Sequence, residues 1–116
     1  MRKFLILLFI TFLFFSCAPK TTPDVDIDIS PRVGKAPLEV VGYIFFNVDY
    51  SCAEVEWSYW YGEFESTRNI SKEEVCNAKV ATHQFGFITP GRVTILISAK
   101  LNGKKYSRAF NVIVSE

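Results

Sequence analysis

The chain has 116 residues, 49% of them hydrophobic and 16% aromatic, which is enough for one small domain with a substantial core. Lysine and arginine together number 13 and aspartate and glutamate 12, giving a formal net charge of +1 at pH 7. This balance argues against the basic surface that nucleic-acid binding requires, so we expect no nucleic-acid partner.

The N-terminus carries the features of a secretory signal followed by a cysteine. Arg2 and Lys3 are basic, residues 4–15 are apolar except for one threonine, and Ser16 and Cys17 follow. As a helix the apolar run would span about 18 Å, whereas the hydrocarbon core of a bilayer is about 30 Å thick. The run is therefore too short for a transmembrane helix and is typical of a signal peptide.

The junction of Ser16 and Cys17 resembles a bacterial lipobox, with Phe14 at the position where leucine is usual. The resemblance implies that residues 1–16 are removed and that Cys17 is diacylated, since two acyl chains anchor a protein stably. An ordinary signal peptide with an incidental cysteine, or an uncleaved anchor, is the alternative. We expect a lipid-anchored protein of the cell envelope, and alanine rather than aspartate after the cysteine favours the outer membrane, where the cell has one.

The rest of the chain is dominated by strand patterns. Residues 17–23 are small and polar with prolines, which predicts a tether, and we assign residues 24–116 to one domain. Alternating or β-branched runs predict strands. The predicted strands cover residues 24–30, 38–48, 53–62, 79–85, 92–101 and 106–115. The segment 64–85 is less clear, and a single helical turn is one interpretation of residues 71–79 within it.

Two turn motifs separate the last predicted strands. Asn102 and Gly103 both tolerate a positive φ and predict a tight hairpin. Pro90 and Gly91 predict a sharp turn, because proline fixes φ and glycine permits positive values. Short strands at this spacing, without a long helical period, predict an all-β sandwich.

Four motifs resemble those of one known family. They are APLEV at residues 36–40, WSYWYG at 57–62, FITPGRVTILI at 87–97 and FNVIV at 110–114, of which the second is only a partial match because its G-D pair is missing. Together they make residues 30–115 resemble a polycystic-kidney-disease (PKD) domain. The resemblance implies an immunoglobulin-like β-sandwich that acts as an extracellular spacer or adhesion module, although a fold alone does not determine a function.

The remaining cysteines, Cys52 and Cys76, form an even pair once Cys17 is acylated. In an oxidising compartment we expect a disulfide, and a chain that runs out along one strand and returns would bring the two together. Two free buried thiols are the alternative. A metal site is disfavoured because there is no C-x-x-C spacing and only one histidine, His83. We therefore expect neither a metal nor a cofactor.

No residue pattern predicts catalysis. A histidine-activated thiol would have to use His83, and no activating motif lies near it, so we expect no enzyme. Asp24, Asp26 and Asp28 could offer oxygens to calcium from one strand face. At intervals of about 6.6–6.8 Å they are too far apart to share one ion without further ligands, so a solvated face is the favoured interpretation.

Strand parity also predicts apolar residues on an outward face. If Trp57 points into the core, Trp60 points outward, and Leu96 and Ile113 do so on later strands. A contiguous exposed apolar patch would indicate contact with a partner. Alternatively, the segment 64–85 covers some of these side chains.

The sequence thus predicts a non-catalytic binding or scaffolding module, held at the membrane by its N-terminal lipid and contacting a protein or a glycan. One alternative is an accessory subunit of a larger envelope complex, such as a transport or pilus assembly. Another is a small envelope enzyme. A flat apolar sheet face would favour the subunit, and a polar cleft with clustered titratable groups would favour the enzyme.

Overall fold

The computed structural model describes residues 23–63 and 67–116. The predicted signal peptide over 1–16, the lipidation site Cys17 and the tether up to residue 22 lie outside the described residues. Nowhere in the described ranges is there a helix of the length and apolar character needed to cross a bilayer. The strands are β1 (Val25–Ser30), β2 (Val33–Lys35), β3 (Leu38–Phe46), β4 (Cys52–Tyr61), β5 (Asn69–Cys76), β6 (Val80–Phe87), β7 (Gly91–Leu101) and β8 (Lys104–Ser115).

These strands form two sheets, so the prediction of an all-β fold is confirmed. One sheet has three strands in the order β1-β3-β6, and the other has five in the order β2-β8-β7-β4-β5. Within the described ranges β2 and β8 pair in parallel, and the other neighbours pair antiparallel. The larger sheet thus has two more strands than the smaller one.

The inner faces of both sheets form one hydrophobic core. On β7 the side chains of Val93, Ile95, Ile97 and Ala99 are fully buried, as their period of two predicts. Trp57 on β4 is 1% exposed and is the largest of the fully buried side chains. The predicted inward face of β1 is buried in the same way.

Both predicted turns are present. Asn102 and Gly103 join β7 to β8 with φ values of 51° and 74°, which is the left-handed region that a two-residue hairpin requires. Gly91 has a φ of 148°, and a Cβ built there would lie 3.3 Å from the ring of Tyr61. The turn before β7 therefore needs glycine both for its backbone and for the close aromatic ring.

Two strands were not predicted. The interpretation of residues 71–79 as a helical turn is wrong, because Asn69–Cys76 pairs antiparallel with β4 along its whole length. This edge strand is exposed on both faces apart from the half-buried Val75, so it lacks the apolar alternation that marks other strands. β2 is only three residues long and contains Gly34, which the sequence suggests is a break rather than a strand.

The acidic face of β1 is bound to other parts of the chain. The Arg32 guanidinium donates a hydrogen bond of 2.7 Å to Asp28, and together with the Ile29 N–H it lowers the pKa of that carboxyl below its usual value. Asp24 accepts a hydrogen bond of 3.1 Å from the Tyr106 hydroxyl. Because Asp24 and Asp28 have separate partners, they do not converge on one point.

Candidate binding surface on the five-stranded sheet

The outward side chains of β4, β5, β7 and β8 form a surface that we call the outer face. The strand register arranges them in rows that cross the sheet in the order β8, β7, β4, β5. The charged row is Lys105, Lys100, Glu54 and Glu74; the next is Ser107, Ser98, Glu56 and Lys72; the apolar row is Ala109, Leu96, Ser58 and Ile70; the last is Asn111, Thr94 and Trp60.

Trp60 is held on the outer face by an arginine. The guanidinium carbon of Arg68 lies 5.9 Å from the centre of the Trp60 ring, within the range of a cation–π contact. The same guanidinium donates a hydrogen bond of 2.8 Å to Glu56, and both side chains are 24% exposed. This half-buried ion pair orders the arginine over the indole, so the ring presents a defined and partly accessible surface.

The apolar row continues from this aromatic group. Leu96 is half-buried, and Ile70 on the edge strand is 52% exposed. Ser58 lies between them and is fully buried, with its hydroxyl donating a hydrogen bond of 3.1 Å to the Leu96 carbonyl. Parity alone predicts an exposed serine here, whereas the large side chains directly opposite it on both neighbouring strands remove it from water.

The predicted contact residues divide into two groups. Trp60 and Leu96 lie on adjacent strands, one diagonal step apart. Ile113 lies further away on β8, where it pairs with Val33 of β2, and the two are 41% and 65% exposed. The polar side chain of Thr94 stands between the two groups, so the three predicted residues do not make one continuous patch.

A broad depression lies beside the apolar row. Its volume is about 710 Å³, and its lining includes Glu54, Lys72, Glu74, Ser98 and Lys100. The floor is low because Ser98 is short and nearly buried, while the charged side chains around it are long. Among the described residues, the ion pairs within 4.0 Å are Asp28–Arg32 and Glu56–Arg68, so none of the four side chains of the charged row has one.

The cysteines lie at the end of the outer face nearest the charged row. Cys52 and Cys76 stand directly opposite each other on β4 and β5 with their sulfurs 2.07 Å apart, in agreement with the predicted disulfide. Their Cα atoms are 4.0 Å apart, slightly closer than the expected ~4.4–6.8 Å. The sulfurs and the Glu74 carboxylate lie within 4.8 Å of one another, but two bonded sulfurs offer no thiolate to a metal.

His83 lies on β6 away from both cysteines, and its environment is aromatic. Its ring stacks on Trp57 with centroids 5.3 Å apart, and it is half-buried. The Trp57 indole N–H donates a hydrogen bond of 3.0 Å to Glu73 of β5. Sequence patterns do not reveal this contact, because nothing in the polar run around Glu73 marks it as a strand.

The pKa values of two tyrosines are raised, and neither tyrosine belongs to the outer face. Burial raises the pKa of Tyr61, whose hydroxyl donates to the Thr89 carbonyl at 3.0 Å. Burial also raises the pKa of Tyr106, and its hydrogen bond to Asp24 acts in the same direction. Both shifts keep a phenol neutral, so these residues act as hydrogen-bond donors.

Comparison with known proteins finds solved structures of similar fold, but it does not identify a family. No protein-family model matches the sequence, and neither does any curated protein. A variant of superoxide reductase (neelaredoxin) from Ignicoccus hospitalis is similar in structure, with a TM-score of 0.57 and 12% identity over 87% of this chain and 86% of that chain. A second structure of superoxide reductase (neelaredoxin) from the same organism has a TM-score of 0.54 and 11% identity, over 81% of this chain and 82% of that chain. At these identities the likeness shows the fold alone.

Proposed function

We propose that this chain is a non-catalytic, lipid-anchored module of the cell envelope that binds a partner through the outer face. The observation that carries the proposal is the patch formed by Trp60, Arg68, Leu96 and Ile70, which is partly exposed on a sheet that has no further layer over it in the described residues. Tryptophan and arginine are the residue types most often found at the energetic centre of protein interfaces.

The strand order supports an immunoglobulin-like sandwich of PKD type. A sheet of β1, β3 and β6 packs against a sheet in which β4, β7 and β8 are neighbours, which resembles the division of strands in immunoglobulin domains. Trp57 on β4 occupies the core position that such domains give to a tryptophan of their third main strand. The turn after Tyr61 lacks the G-D pair typical of PKD domains, so no role of that turn is transferred.

The anchoring part of the proposal depends on Cys17. Residues 18–23 can span at most about 20 Å when fully extended, so an acylated Cys17 would hold the two sheets close to the lipid surface. Attachment to the outer membrane is favoured where the cell has one, because alanine follows the cysteine.

We propose no reaction with superoxide. One-electron chemistry in proteins commonly uses a transition metal on imidazole and thiolate ligands. The sequence has one histidine, His83, and its ring stacks on Trp57, while Cys52 and Cys76 are bonded to each other. The residues present do not fit such a centre, so no step is derived through one.

A protein partner is favoured over a glycan. The outer face is broad and open, and it combines an apolar row with a charged row in the way that protein interfaces combine a core with a rim. An accessory role in a larger envelope assembly, such as a transport or pilus complex, would use the same surface. Binding of a glycan is an outcome of the test below.

The test places a photoreactive amino acid at position 96 of the full chain in native membranes. We expect a covalent protein adduct on illumination, and we expect Trp60→Ala to reduce it. The matched control carries the same group at Thr82, which is exposed on the outward side of the three-stranded sheet. Equal adducts from both positions, an adduct with glycan only, or no adduct at position 96 would each contradict a protein-binding outer face.

A further inference from the structure

We infer that the outer face binds a second copy of this chain, in a two-fold pair whose axis lies between β4 and β7 and runs parallel to the strands. This inference rests on the proposed function, because it names the partner of the same surface. Two observations carry it: the order of charges along one row and the sizes of the side chains in the other rows.

The charged row is self-complementary under this rotation. Lys105 and Lys100 lie directly opposite each other on β8 and β7, and Glu54 and Glu74 do so on β4 and β5. Like charges in such positions repel within the sheet. A two-fold axis between β4 and β7 reverses the order of the row, so each lysine of one copy faces a glutamate of the other. The pairing thus gives each of the four side chains an opposite charge across the interface. Within one copy, the only oppositely charged neighbours in this row are Lys100 and Glu54, and neither is in an ion pair within 4.0 Å among the residues that the structure describes.

The side-chain sizes are complementary under the same rotation. The rotation places β4 over β7 of the second copy and β5 over its β8, so in the three rows other than the charged row a large side chain faces a smaller one. The facing pairs are Leu96 with Ser58, Ile70 with Ala109, Glu56 with Ser98, Lys72 with Ser107 and Trp60 with Thr94. The Glu56 side chain of one copy therefore faces the short Ser98 of the other, and the two sheets pack in the aligned manner of a β-sandwich.

The outward side of the three-stranded sheet has no such complementarity. Tyr43 and Phe45 are apolar on its middle strand, and Asp28 and Asp26 lie directly opposite them on β1. On the other flank, β6 offers Thr82 opposite Tyr43 and no cation to face these carboxylates. Asp28 already has its counter-charge in Arg32, and a two-fold pairing through this side would bring no cation of β6 to Asp26, so the outer face is the better self-binding surface.

The size of the outer face predicts a weak and reversible pair. Four strands over seven residues project to a flat area of about 450 Å² per copy, which makes this a small interface rather than a large obligate one. A two-fold axis parallel to the strands leaves the strand directions of both copies the same. Both N-terminal tethers then leave from the same end of the pair, so two anchors in one membrane would raise the effective concentration of each copy for the other.

The test uses charge exchange between two differently tagged full-length copies, co-expressed and extracted in mild detergent. Glu54→Lys in both copies puts lysines against lysines across the axis, and Lys100→Glu in both puts glutamates against glutamates. Each variant alone should reduce co-isolation of the tags roughly tenfold. One copy with Glu54→Lys and the other with Lys100→Glu should restore it, because every facing pair is again opposite in charge.

In the mixed pair, positions 54 and 100 still carry like charges within each chain, two lysines in one copy and two glutamates in the other. Only the contacts between the two copies become favourable again, so restored co-isolation reports on those contacts. The control, Lys79→Glu in the loop before β6, should leave co-isolation unchanged. Failure of the mixed pair to restore co-isolation would overturn the inference. So would wild-type tags that do not co-isolate, and in that case an adduct from position 96 with a different protein would still support the proposed function. An adduct with the mass of two chains would support both.

Discussion

Trp57 is the residue at which the two sheets and the edge strand meet. Its ring is 1% exposed, stacks on His83 and meets the edge of Phe85 at 6.4 Å, while its N–H is bonded to Glu73. A buried indole needs a partner for its one donor, and here the edge strand supplies it. Trp60, three positions later on the same strand, contacts Arg68 and solvent instead.

Truncating the two tryptophans should therefore have different consequences. Trp57→Ala should lower the free energy of unfolding by about 3–5 kcal/mol, because it leaves a cavity between the sheets. Trp60→Ala should cost about 1 kcal/mol or less, because its indole is half-buried on the outer face. Urea unfolding of both variants at equal concentration gives the comparison, and equal losses would show that Trp60 belongs to the core.

Strand parity was enough to predict that Trp57 and Trp60 lie on opposite faces of β4. The partners of Trp57 could not be predicted, because Glu73 and His83 lie 16 and 26 positions away on strands whose pairing no local pattern specifies. The buried Ser58 could not be predicted for a similar reason, since its burial depends on the size of its neighbours on two other strands. Contacts between side chains on different strands depend on the strand register, and local sequence patterns do not predict that register.

At the scale of elements, β5 depends most on its surroundings. It pairs with β4 on one side only, its side chains are largely exposed, and its last residue carries the disulfide. Polar residues and charges are common on edge strands because they discourage further pairing. Because these residues are mostly polar on both faces, β5 lacks the apolar alternation by which strands are predicted, and a helical turn is a competing interpretation of its sequence.

Removing the disulfide should loosen β5 before the rest of the fold. In the chain-entropy model, replacing Cys52 and Cys76 by alanine should cost roughly 3–4 kcal/mol, given the 24-residue separation of the two cysteines. Hydrogen exchange should accelerate first in the amides of Asn69–Cys76, and the central β7 should remain protected. Unchanged exchange in β5 would mean that pairing with β4 alone is sufficient to hold it.

The hairpin between β7 and β8 offers a second test at this scale. Gly103→Ala should cost about 1–2 kcal/mol, because the backbone there has a φ of 74° that a side chain disfavours. Gly86→Ala on β6 is the matched control, since a Cβ at either position meets nothing within 4 Å. Thermal unfolding should show no loss for the control, and equal losses at both sites would contradict a backbone origin.

At the scale of the whole molecule, the five-stranded sheet extends beyond the three-stranded one. Local patterns predict an all-β chain, most of its strands and the hairpin at Asn102 and Gly103. They do not predict which strands share a sheet, because the order β2-β8-β7-β4-β5 joins segments far apart in sequence. The rows of the outer face depend on that strand order. Strand parity could therefore predict which side chains point outward, but not which of them lie side by side.

The membrane attachment is a prediction about the whole chain. We expect mass spectrometry of the membrane fraction to find a mature protein that begins at Cys17 and carries acyl groups. Cys17→Ser should abolish the modification, because the thiol is the site of acylation. An unmodified N-terminus at another residue, together with protein in the soluble fraction, would contradict lipid anchoring.

The parallel pairing of β2 with β8 has a consequence for the time at which the fold can form. Val33 is synthesised before its partner Ile113, which follows about 80 residues later in the chain. The larger sheet therefore cannot be completed until β8 has been synthesised. A nascent chain that still lacks β8 therefore has β2 without its partner strand, and this pairing is among the last contacts of the fold to form.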